Sequence, residues 1–299
     1  MPATRLDPLE VRRTLRAEGL RARHARSQNF LADPEVLQAI LDLAEVRPGD
    51  RVLEIGPGLG ILTGGLLASG GAVTAIELDA GLAGYLRRRF EAEIGDGRLD
   101  LVEGDALDRE LLELVAPPFK VVANLPYHVT SPTLHRLLGG LPRPERLVLM
   151  LQLEVAERIA APPGAMSYLS AFVQYHAEVR VARRVPAEAF EPAPKVESAV
   201  VVLTPRPEVP LGAPGSDAED ALWRLVQAGF RERRKMLHNV LSRQLPIDAA
   251  AIDAGLAAAG IAGDRRPQTL SVADWLRLRA ALPALGRDQR GRRSGDATP

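Results

Sequence analysis

The sequence predicts an α/β protein with a doubly wound, mostly parallel sheet and a small second domain that consists only of helices. Short apolar strands alternate with helical segments over the first two thirds of the chain, which is typical of a parallel sheet covered by helices. A proline-rich segment at 204–220 then precedes three further helical segments. With 299 residues, 46% of them hydrophobic, the chain is long enough for one large and one small domain.

The elements follow from apolar spacing and from start and stop signals. A first helix is predicted over 34–45, because its apolar residues recur at helical spacing and Asp33 and Pro34 form a typical helix start. Further helices are predicted over about 59–68 and 79–93. Seven strands are predicted, at 51–55, 72–77, 99–103, 119–123, 146–151, 172–181 and 199–203. The last two have no long helix between them, which suggests an antiparallel hairpin at one edge of the sheet.

The predicted domains follow from these elements. The C-terminal helices are predicted over 221–243, 248–259 and 271–283, with Ser271 as an N-cap. In chain order we predict a basic N-terminal extension (1–26), a sheet domain (27–205), a linker (206–220), a helical domain (221–285) and a disordered tail (286–299).

Charge is unevenly distributed along a chain whose formal net charge is zero. Residues 1–30 carry a net charge of +4 and residues 221–243 a net charge of +5, and arginine supplies most of both excesses. Two basic stretches beside an acidic remainder suggest an anionic partner, since arginine can fork onto phosphate and stack on bases. Two solvated helix faces would carry the same charges, so charge alone leaves both interpretations open.

Composition excludes several classes of site. The chain has no cysteine, which excludes disulfides, thiolate zinc sites and a cysteine nucleophile. The five histidines show no spacing typical of metal ligands, so no metal is expected. No apolar run approaches the ~20 residues that span a bilayer, and the arginine-rich N-terminus lacks the apolar block of a secretory signal. We therefore expect a cytoplasmic protein without membrane contacts.

A glycine-rich segment, Glu54-Ile-Gly56-Pro-Gly58-Leu-Gly60, lies between a predicted strand and a predicted helix. Its glycines let the backbone approach a ligand, and the helix start offers free N–H groups. Glu77 ends the next strand, where a carboxylate can accept hydrogen bonds from both ribose hydroxyls. Together they predict an adenosine-containing cofactor, either NAD or S-adenosylmethionine. Asp105 follows the third strand and could accept from the adenine amino group, or it could cap a turn.

The tetrapeptide Asn124-Leu125-Pro126-Tyr127 directly follows the fourth strand, at the edge where doubly wound sheets bind ligands. The Asn124 amide oxygen and the Leu125 carbonyl can both accept hydrogens from an exocyclic amine and draw its nitrogen towards tetrahedral geometry. The Tyr127 ring can stack on a planar base. These groups favour S-adenosylmethionine over NAD. The alternative is a proline-terminated loop with a half-buried tyrosine.

These segments resemble Rossmann-like S-adenosylmethionine methyltransferases that act on adenine N6, and specifically the small-subunit (16S) ribosomal RNA adenine dimethyltransferases. The resemblance is carried by 54–63 (EIGPGLGILT), 76–79 (IELD), 124–127 (NLPY), 27–31 (SQNFL), 190–200 (FEPAPKVESAV) and 230–239 (FRERRKMLHN). It extends from about Gln28 to Trp275. His128 and Leu153 depart from the family pattern, which affects RNA contacts rather than the chemistry.

The resemblance implies a role for each matching residue. It implies cofactor contacts for Asn29, Leu31, Gly56, Glu77, Asp105 and Asn124. It implies catalytic roles for Asn124, Leu125 and Tyr127, with Tyr127 and Phe190 on either side of the target base. The basic clusters predict RNA contacts for Arg231, Arg233, Arg234 and Lys235, which lie in the segment that resembles the family's C-terminal basic helix. The implied reaction places two methyl groups on each of two adjacent adenosines near the 3′ end of small-subunit rRNA, in an immature 30S subunit during ribosome biogenesis, by a monomeric enzyme without metal.

Two other functions stay open. One is a large-subunit rRNA adenine methyltransferase of the antibiotic-resistance type, although those enzymes commonly carry isoleucine where this chain has Leu125. The other is a non-catalytic assembly factor that only binds immature small subunits. An intact glycine-rich segment together with Asn124 and Tyr127 argues against a loss of catalysis.

Overall fold

The computed structural model of the chain describes residues 7–20, 28–107, 111–126, 129–212 and 214–282. Tyr127 and the predicted tail at 286–299 lie outside these residues. The chain divides into two compact units. Of the residues that the structure describes, the first unit comprises those up to Ala160 together with His176–Pro207, and the second comprises Ala161–Tyr175 and those from Glu208 to Leu282.

The described residues form nine strands and twelve α-helices. The strands are β1 (Phe30–Leu31), β2 (Arg51–Ile55), β3 (Ala72–Glu77), β4 (Leu99–Glu103), β5 (Lys120–Asn124), β6 (Arg146–Gln152), β7 (Ala177–Val185), β8 (Phe190–Glu191) and β9 (Ser198–Pro205). The helices are α1 (Pro8–Ala17), α2 (Pro34–Ala44), α3 (Ile61–Ala68), α4 (Ala80–Arg89), α5 (Glu91–Gly95), α6 (Thr130–Gly139), α7 (Leu153–Ile159), α8 (Tyr168–His176), α9 (Asp217–Phe230), α10 (Leu237–Gln244), α11 (Ala249–Ala258) and α12 (Val272–Ala281).

Seven strands of the first unit, as far as the structure describes it, form one sheet in the order β4-β3-β2-β5-β6-β9-β7. The strands from β4 to β6 are parallel, whereas β9 runs antiparallel to both β6 and β7. This confirms the predicted mostly parallel sheet with an antiparallel pair at one edge. The chain winds outward in one direction from β2 to β4 and in the other from β5, so the point of reversal lies between β2 and β5. Doubly wound sheets bind ligands at this point.

The central strands are apolar because both faces of the sheet are covered. Residues 52–55 of β2, 121–123 of β5 and 147–151 of β6 are buried without interruption. The predicted start of α2 is confirmed, since the Asp33 side chain accepts hydrogen bonds from the backbone N–H groups of Glu35 and Val36.

Several predicted segments differ from the structure, among them the helix predicted over 79–93, which forms the two helices α4 and α5. The strand predicted over 172–181 begins only at Ala177, because residues up to His176 continue α8. A short apolar run fits a buried helix as well as a buried strand, so its spacing could not separate the two. The helix predicted over 221–243 is interrupted at 231–236, where a charged segment offers little that is apolar to bury. Helix α9 also begins at Asp217, inside the predicted linker, with Ser216 as its N-cap.

The N-terminal extension contains a helix that the sequence analysis did not predict. Helix α1 buries Val11 and Leu15 against Phe30, Leu59 and Leu82. Apolar packing therefore joins part of the basic extension to the first unit.

The second unit is helical and has its own core. Trp275 and Leu278 of α12 pack with Leu222 and Leu225 of α9. The predicted N-cap at Ser271 is confirmed as part of a capping box with Asp274. Residues 161–175, which the sequence analysis assigned to the sheet domain, belong to this unit. None of the helices in the described ranges is long and apolar enough to cross a membrane.

Candidate active site

A cavity lies at the carboxyl ends of the parallel strands, next to the reversal point between β2 and β5. It is formed by the loops that follow β2, β3, β4 and β5 and by the segment that contains β1. All the predicted cofactor residues line it, namely Asn29, Leu31, Gly56, Glu77, Asp105 and Asn124, and Leu125 lines it as well. The structure therefore brings together residues that lie almost a hundred positions apart in the sequence.

The glycine-rich loop after β2 forms one wall. Gly58 and Gly60 have φ angles of 59° and 72°, in the left-handed region that side chains disfavour. A Cβ atom at Gly58 would lie 3.1 Å from Cδ1 of Phe30, and one at Gly60 would lie 2.5 Å from Cε2 of Phe90. Glycine is required here by backbone conformation and by close packing, and the loop keeps its backbone at the cavity surface.

The Glu77 carboxylate joins β3 to this loop. Its Oε2 accepts a hydrogen bond from the Gly58 N–H at 3.0 Å, and its Oε1 accepts one from the Asp79 N–H at 2.9 Å. Burial raises the pKa of the Glu77 carboxyl, although these backbone hydrogen bonds oppose the shift. Because a carboxylate has about four acceptor positions, each oxygen can still accept from a ligand hydroxyl.

Glu54 is the second acidic side chain in the cavity wall. It is 1% exposed, and its Oε2 accepts a hydrogen bond from the Thr63 hydroxyl at 2.7 Å. Burial raises the pKa of the Glu54 carboxyl to about 8. Glu54 therefore carries a proton over most of the neutral range and adds little negative charge beside Glu77.

Asp105 closes a turn, as one of its two predicted interpretations has it, whereas its contact with adenine stays a prediction. Its Oδ1 accepts a hydrogen bond from the Leu107 N–H at 2.8 Å, which closes a turn after β4. The same side chain lines the cavity, on the side of the sheet where β4 and β3 end.

Asn124 ends β5 and is fixed by the segment that enters β1. Its Nδ2 donates a hydrogen bond to the Asn29 carbonyl at 3.2 Å. Because the NH₂ group faces Asn29, the amide oxygen remains as an acceptor on a side chain that lines the cavity. The Leu125 N–H donates to the Met150 carbonyl at 3.1 Å, which fixes the loop to β6.

The structure does not bring Phe190 to the cavity. The ring is 2% exposed and packs in the core of the first unit with Leu31, Val36 and Ile40. Strand β8 pairs with β1 so that Phe190 lies opposite Leu31, and this pairing buries the ring. Tyr127 lies outside the described residues, so the predicted stacking of a base between the two rings stays a prediction.

The predicted RNA-binding residues lie in the connection between α9 and α10 of the second unit. Arg231 Nη1 donates to Gln244 Oε1 at 2.9 Å. Arg233, Arg234 and Lys235 are exposed and form no ion pair with any residue that the structure describes. Their charges are available to an anionic partner, and RNA binding here stays a prediction.

Helix α6 contributes cavity residues that the sequence analysis did not find. Val129 and Thr133 from this part of the chain line the cavity, as does Met150 of β6. The sequence held a partial signal, because a helix that directly follows the Asn124–Pro126 loop begins at the edge of the sheet where ligands bind.

Comparison with known proteins identifies relatives over nearly the whole chain. Residues 19–282 match the family described as ribosomal RNA adenine dimethylase. Proteins named ribosomal RNA small subunit methyltransferase A are similar over most of their length. The one from Thermosynechococcus vestitus is 42% identical over 274 residues, which cover 89% of this chain and 98% of the relative. The one from Anaeromyxobacter dehalogenans strain 2CP-C is 46% identical over 276 residues, which cover 88% and 94%.

Two solved structures are similar in fold and size. A dimethyladenosine transferase from Plasmodium falciparum has a TM-score of 0.71 and 29% identity, with coverage of 83% of this chain and 95% of that protein. The 23S rRNA methyltransferase ErmE has a TM-score of 0.67 and 31% identity, with coverage of 85% and 99%.

Proposed function

The chain belongs to the ribosomal RNA adenine dimethylase family, and on that premise we propose that it places two methyl groups on N6 of each of two adjacent adenosines near the 3′ end of small-subunit rRNA. The observation that carries this proposal is the cavity in which the glycine-rich loop, Glu77, Asp105 and Asn124 meet. The choice of the small subunit rests on the relatives, since those with 41–46% identity are named small-subunit methyltransferases.

The chemistry of the cavity residues fits the cofactor. S-adenosylmethionine, when bound, supplies a methyl group that its sulfonium activates. Glu77 would accept hydrogen bonds from the ribose hydroxyls with the acceptor positions that Gly58 and Asp79 do not occupy. Asp105 would accept from the adenine amino group, and Gly56, Asn29 and Leu31 would contact the cofactor from the loop and from the β1 segment.

The target amine would be held by two acceptors. The Asn124 amide oxygen and the Leu125 carbonyl would accept its hydrogens and favour the tetrahedral nitrogen that attacks the methyl group. Positioning of this kind supplies most of the acceleration in such a transfer. Neither acceptor is a strong base, so the proton leaves to solvent after the new N–C bond has formed. A monomethylated amine keeps one hydrogen, and the second transfer can therefore use one acceptor fewer.

Base and RNA contacts complete the proposal. Tyr127 would stack on the target base, and Phe190 would do so only after leaving the core in which it is buried. Arg231, Arg233, Arg234 and Lys235 would contact the phosphate backbone. We propose the immature 30S subunit as the partner, a monomer as the active species and the cytoplasm as its location.

A second candidate is methylation of large-subunit rRNA. The fold similarity to ErmE favours it, because that 23S rRNA methyltransferase covers 85% of this chain at 31% identity. The small-subunit relatives are more similar in sequence, at 41–46% identity, and therefore decide the ranking.

Transfer of labelled methyl groups tests the two candidates together. The purified protein is incubated with labelled S-adenosylmethionine and with immature small or large subunits, followed by nucleoside analysis and primer extension. We expect N6,N6-dimethyladenosine at two adjacent positions of small-subunit rRNA only. Label in large-subunit rRNA would establish the second candidate instead. Tight binding to small subunits without transfer would identify a non-catalytic assembly factor.

A further inference from the structure

The wall of the cavity contains one buried hydroxyl without a hydrogen-bond partner among the residues that the structure describes. Thr133 of α6 is 0% exposed and lines the cavity. Its Oγ1 forms no hydrogen bond with any of those residues. A buried polar atom in this state costs free energy, and native proteins usually pair such atoms with protein, water or a ligand.

Thr130 on the same helix shows what a helical threonine ordinarily does. Its Oγ1 donates to the carbonyl one turn earlier, that of Pro126, at 3.3 Å. Thr130 is also buried, at 2% exposed, but it does not line the cavity. Thr133 differs from it in both respects, since its hydroxyl is unpaired within the described ranges and its side chain forms part of the wall.

The surroundings of Thr133 limit what the hydroxyl can meet. Val129, four residues before Thr133, and Met150 of β6 also line the cavity, and both have apolar side chains. Of the buried side-chain atoms that lack a partner within the described ranges, Thr133 Oγ1 is the one in this wall. A polar group of a ligand bound in the cavity is therefore the hydrogen-bond partner that we expect for the Thr133 hydroxyl.

The order of strands indicates which part of a ligand lies there. Glu77 and Asp105 follow β3 and β4 on one side of the glycine-rich loop, whereas Asn124 and Met150 belong to β5 and β6 on the other. An adenosine bound by Glu77 and Asp105 leaves the remaining, amino-acid end of the cofactor on the side of β5 and β6. That end carries an ammonium and a carboxylate, and a hydroxyl can hydrogen-bond to either.

We propose that Thr133 is a cofactor-binding residue whose hydroxyl hydrogen-bonds to the amino-acid end of S-adenosylmethionine. This inference rests on one part of the proposed function, the use of S-adenosylmethionine as cofactor, and does not depend on which RNA is the substrate. In the cofactor-free protein the hydroxyl is a source of instability, and in the complex it becomes a source of affinity.

Three variants test the proposal, which predicts that loss of the Thr133 hydroxyl lowers the affinity for the cofactor but raises the stability of the free protein. Thr133→Val replaces the hydroxyl by a methyl group of similar size, Thr133→Ser keeps the hydroxyl, and Thr130→Val is the matched control on the same helix. Calorimetry measures the affinity for S-adenosylmethionine and for methylthioadenosine, which lacks the amino-acid end. Thermal unfolding without ligand measures stability.

For Thr133→Val we expect S-adenosylmethionine to bind about threefold to tenfold more weakly, as for the removal of one neutral hydrogen bond. Methylthioadenosine should bind as it does to the wild type. The Tm without ligand should rise by about 2–4 °C, because an unpaired buried hydroxyl is removed. Thr133→Ser should keep an affinity within about twofold of the wild type. Thr130→Val should lower the Tm and leave both affinities unchanged.

Four results would overturn the proposal. Unchanged affinity of Thr133→Val for S-adenosylmethionine would show that the proposed hydrogen bond does not form. The same conclusion would hold if the variant raised only the KM for RNA. An equal weakening for both ligands would contradict the assignment to the amino-acid end. A fall in Tm similar to that of Thr130→Val would show that the hydroxyl is paired within the protein. Weak binding by Thr133→Ser would show that packing decides the affinity.

Failure of the proposed function would be recognised separately. If the wild type binds S-adenosylmethionine but methylates no small-subunit rRNA, the proposed substrate is wrong and these comparisons still decide the role of Thr133.

Discussion

The Glu77 carboxylate accepts a hydrogen bond from the Gly58 N–H at 3.0 Å, across 19 residues of sequence. This contact fixes the glycine-rich loop to the end of β3. It also orients the carboxylate at the cavity surface, since Asp79 N–H holds the other oxygen at 2.9 Å. Glu77 therefore holds the loop in place, and we propose that it also binds the ribose of the cofactor.

Removal of the Glu77 carboxylate should weaken the cofactor complex. Glu77→Ala is expected to make S-adenosylmethionine binding less favourable by about 1.5–3 kcal/mol, as for the loss of a hydrogen bond to a charged group. Calorimetry measures the change, and circular dichroism shows whether the variant is folded. Glu103→Gln is the matched control, because Glu103 lies beside Glu77 on β4 but is exposed and outside the cavity wall. A folded Glu77→Ala with wild-type affinity would contradict the ribose role.

The ionisation of Glu54 should make stability depend on pH. Its pKa is about 8 in the folded chain against an ordinary value of 4.5, so the folded state binds the proton more tightly. The free energy of unfolding should therefore fall as pH rises from about 4.5 to about 8, by at most about 1.4 kcal/mol per pH unit. Glu54→Gln should not show this fall.

Urea unfolding of wild type and Glu54→Gln between about pH 5 and pH 8 measures the difference. His176, whose pKa is lowered by burial to about 3, contributes a slope of opposite sign below its unfolded pKa of 6.5. The comparison with the variant cancels that slope. A difference between the two proteins that does not change with pH would show that Glu54 titrates normally.

The basic connection between α9 and α10 should dominate the salt dependence of RNA binding. Removing each phosphate contact that Arg231, Arg233, Arg234 or Lys235 makes should reduce the slope of log affinity against log salt by about 0.7–0.9. The exposed Arg233, Arg234 and Lys235 should contribute more than Arg231, which is held by Gln244. Replacement of all four should leave cofactor binding intact.

Filter binding at several salt concentrations measures that slope. Arg277→Gln is a suitable control that should leave the slope unchanged. Arg277 lies on α12, where its charge is already paired with Asp274 of the same helix. If the fourfold variant keeps the wild-type slope, the connection is a solvated surface without an RNA contact.

Asn124 should affect the rate more than binding. Its acceptor oxygen matters most when the target nitrogen becomes tetrahedral, and interactions that strengthen in the transition state raise the rate constant. Asn124→Ala should therefore lower the single-turnover rate of methyl transfer by about a hundredfold or more, with little change in RNA affinity. Rapid-quench measurement at saturating RNA and cofactor gives the rate. A rate close to the wild type would make the proposed mechanism untenable.

The ion pair between Arg12 and Glu191 should hold α1 on the β1–β8 ribbon. Arg12 Nε lies 2.6 Å from Glu191 Oε1, and its Nη2 donates to Oε2 at 2.8 Å, so the contact is bidentate. A ribbon of two-residue strands needs such support. Arg12→Ala should speed amide hydrogen exchange at Ala32, whose N–H donates to the Ala189 carbonyl at 2.8 Å.

Arg13→Ala on the same helix provides the control. Arg13 is exposed, and its ion pair among the described residues is with Glu10, where Nη1 lies 3.6 Å from Oε2. It should leave exchange at Ala32 unchanged. Equal exchange rates in the two variants would mean that apolar packing of Val11 and Leu15 is sufficient to hold the helix.

Much of the site follows from the sequence for one physical reason. The carboxyl ends of parallel strands meet at one edge, so assignment of strands that end near Ile55, Glu77 and Asn124 already brings the glycine-rich loop and both side chains together. The helix starts at Asp33 and Ser271 could also be read from the sequence, because capping depends on residues only two or three positions away.

Tertiary structure alone decided the features that depend on distant partners. Residues 172–176 are helical and Phe190 is buried, because an apolar residue packs wherever a remote segment offers a matching surface, and no local pattern records that surface. The hydroxyl of Thr133, unpaired among the described residues, is of the same kind. Whether a hydroxyl has a partner within the protein or is left to bind a ligand depends on which atoms lie within hydrogen-bonding distance of it. Only the packing of the folded chain determines which atoms these are.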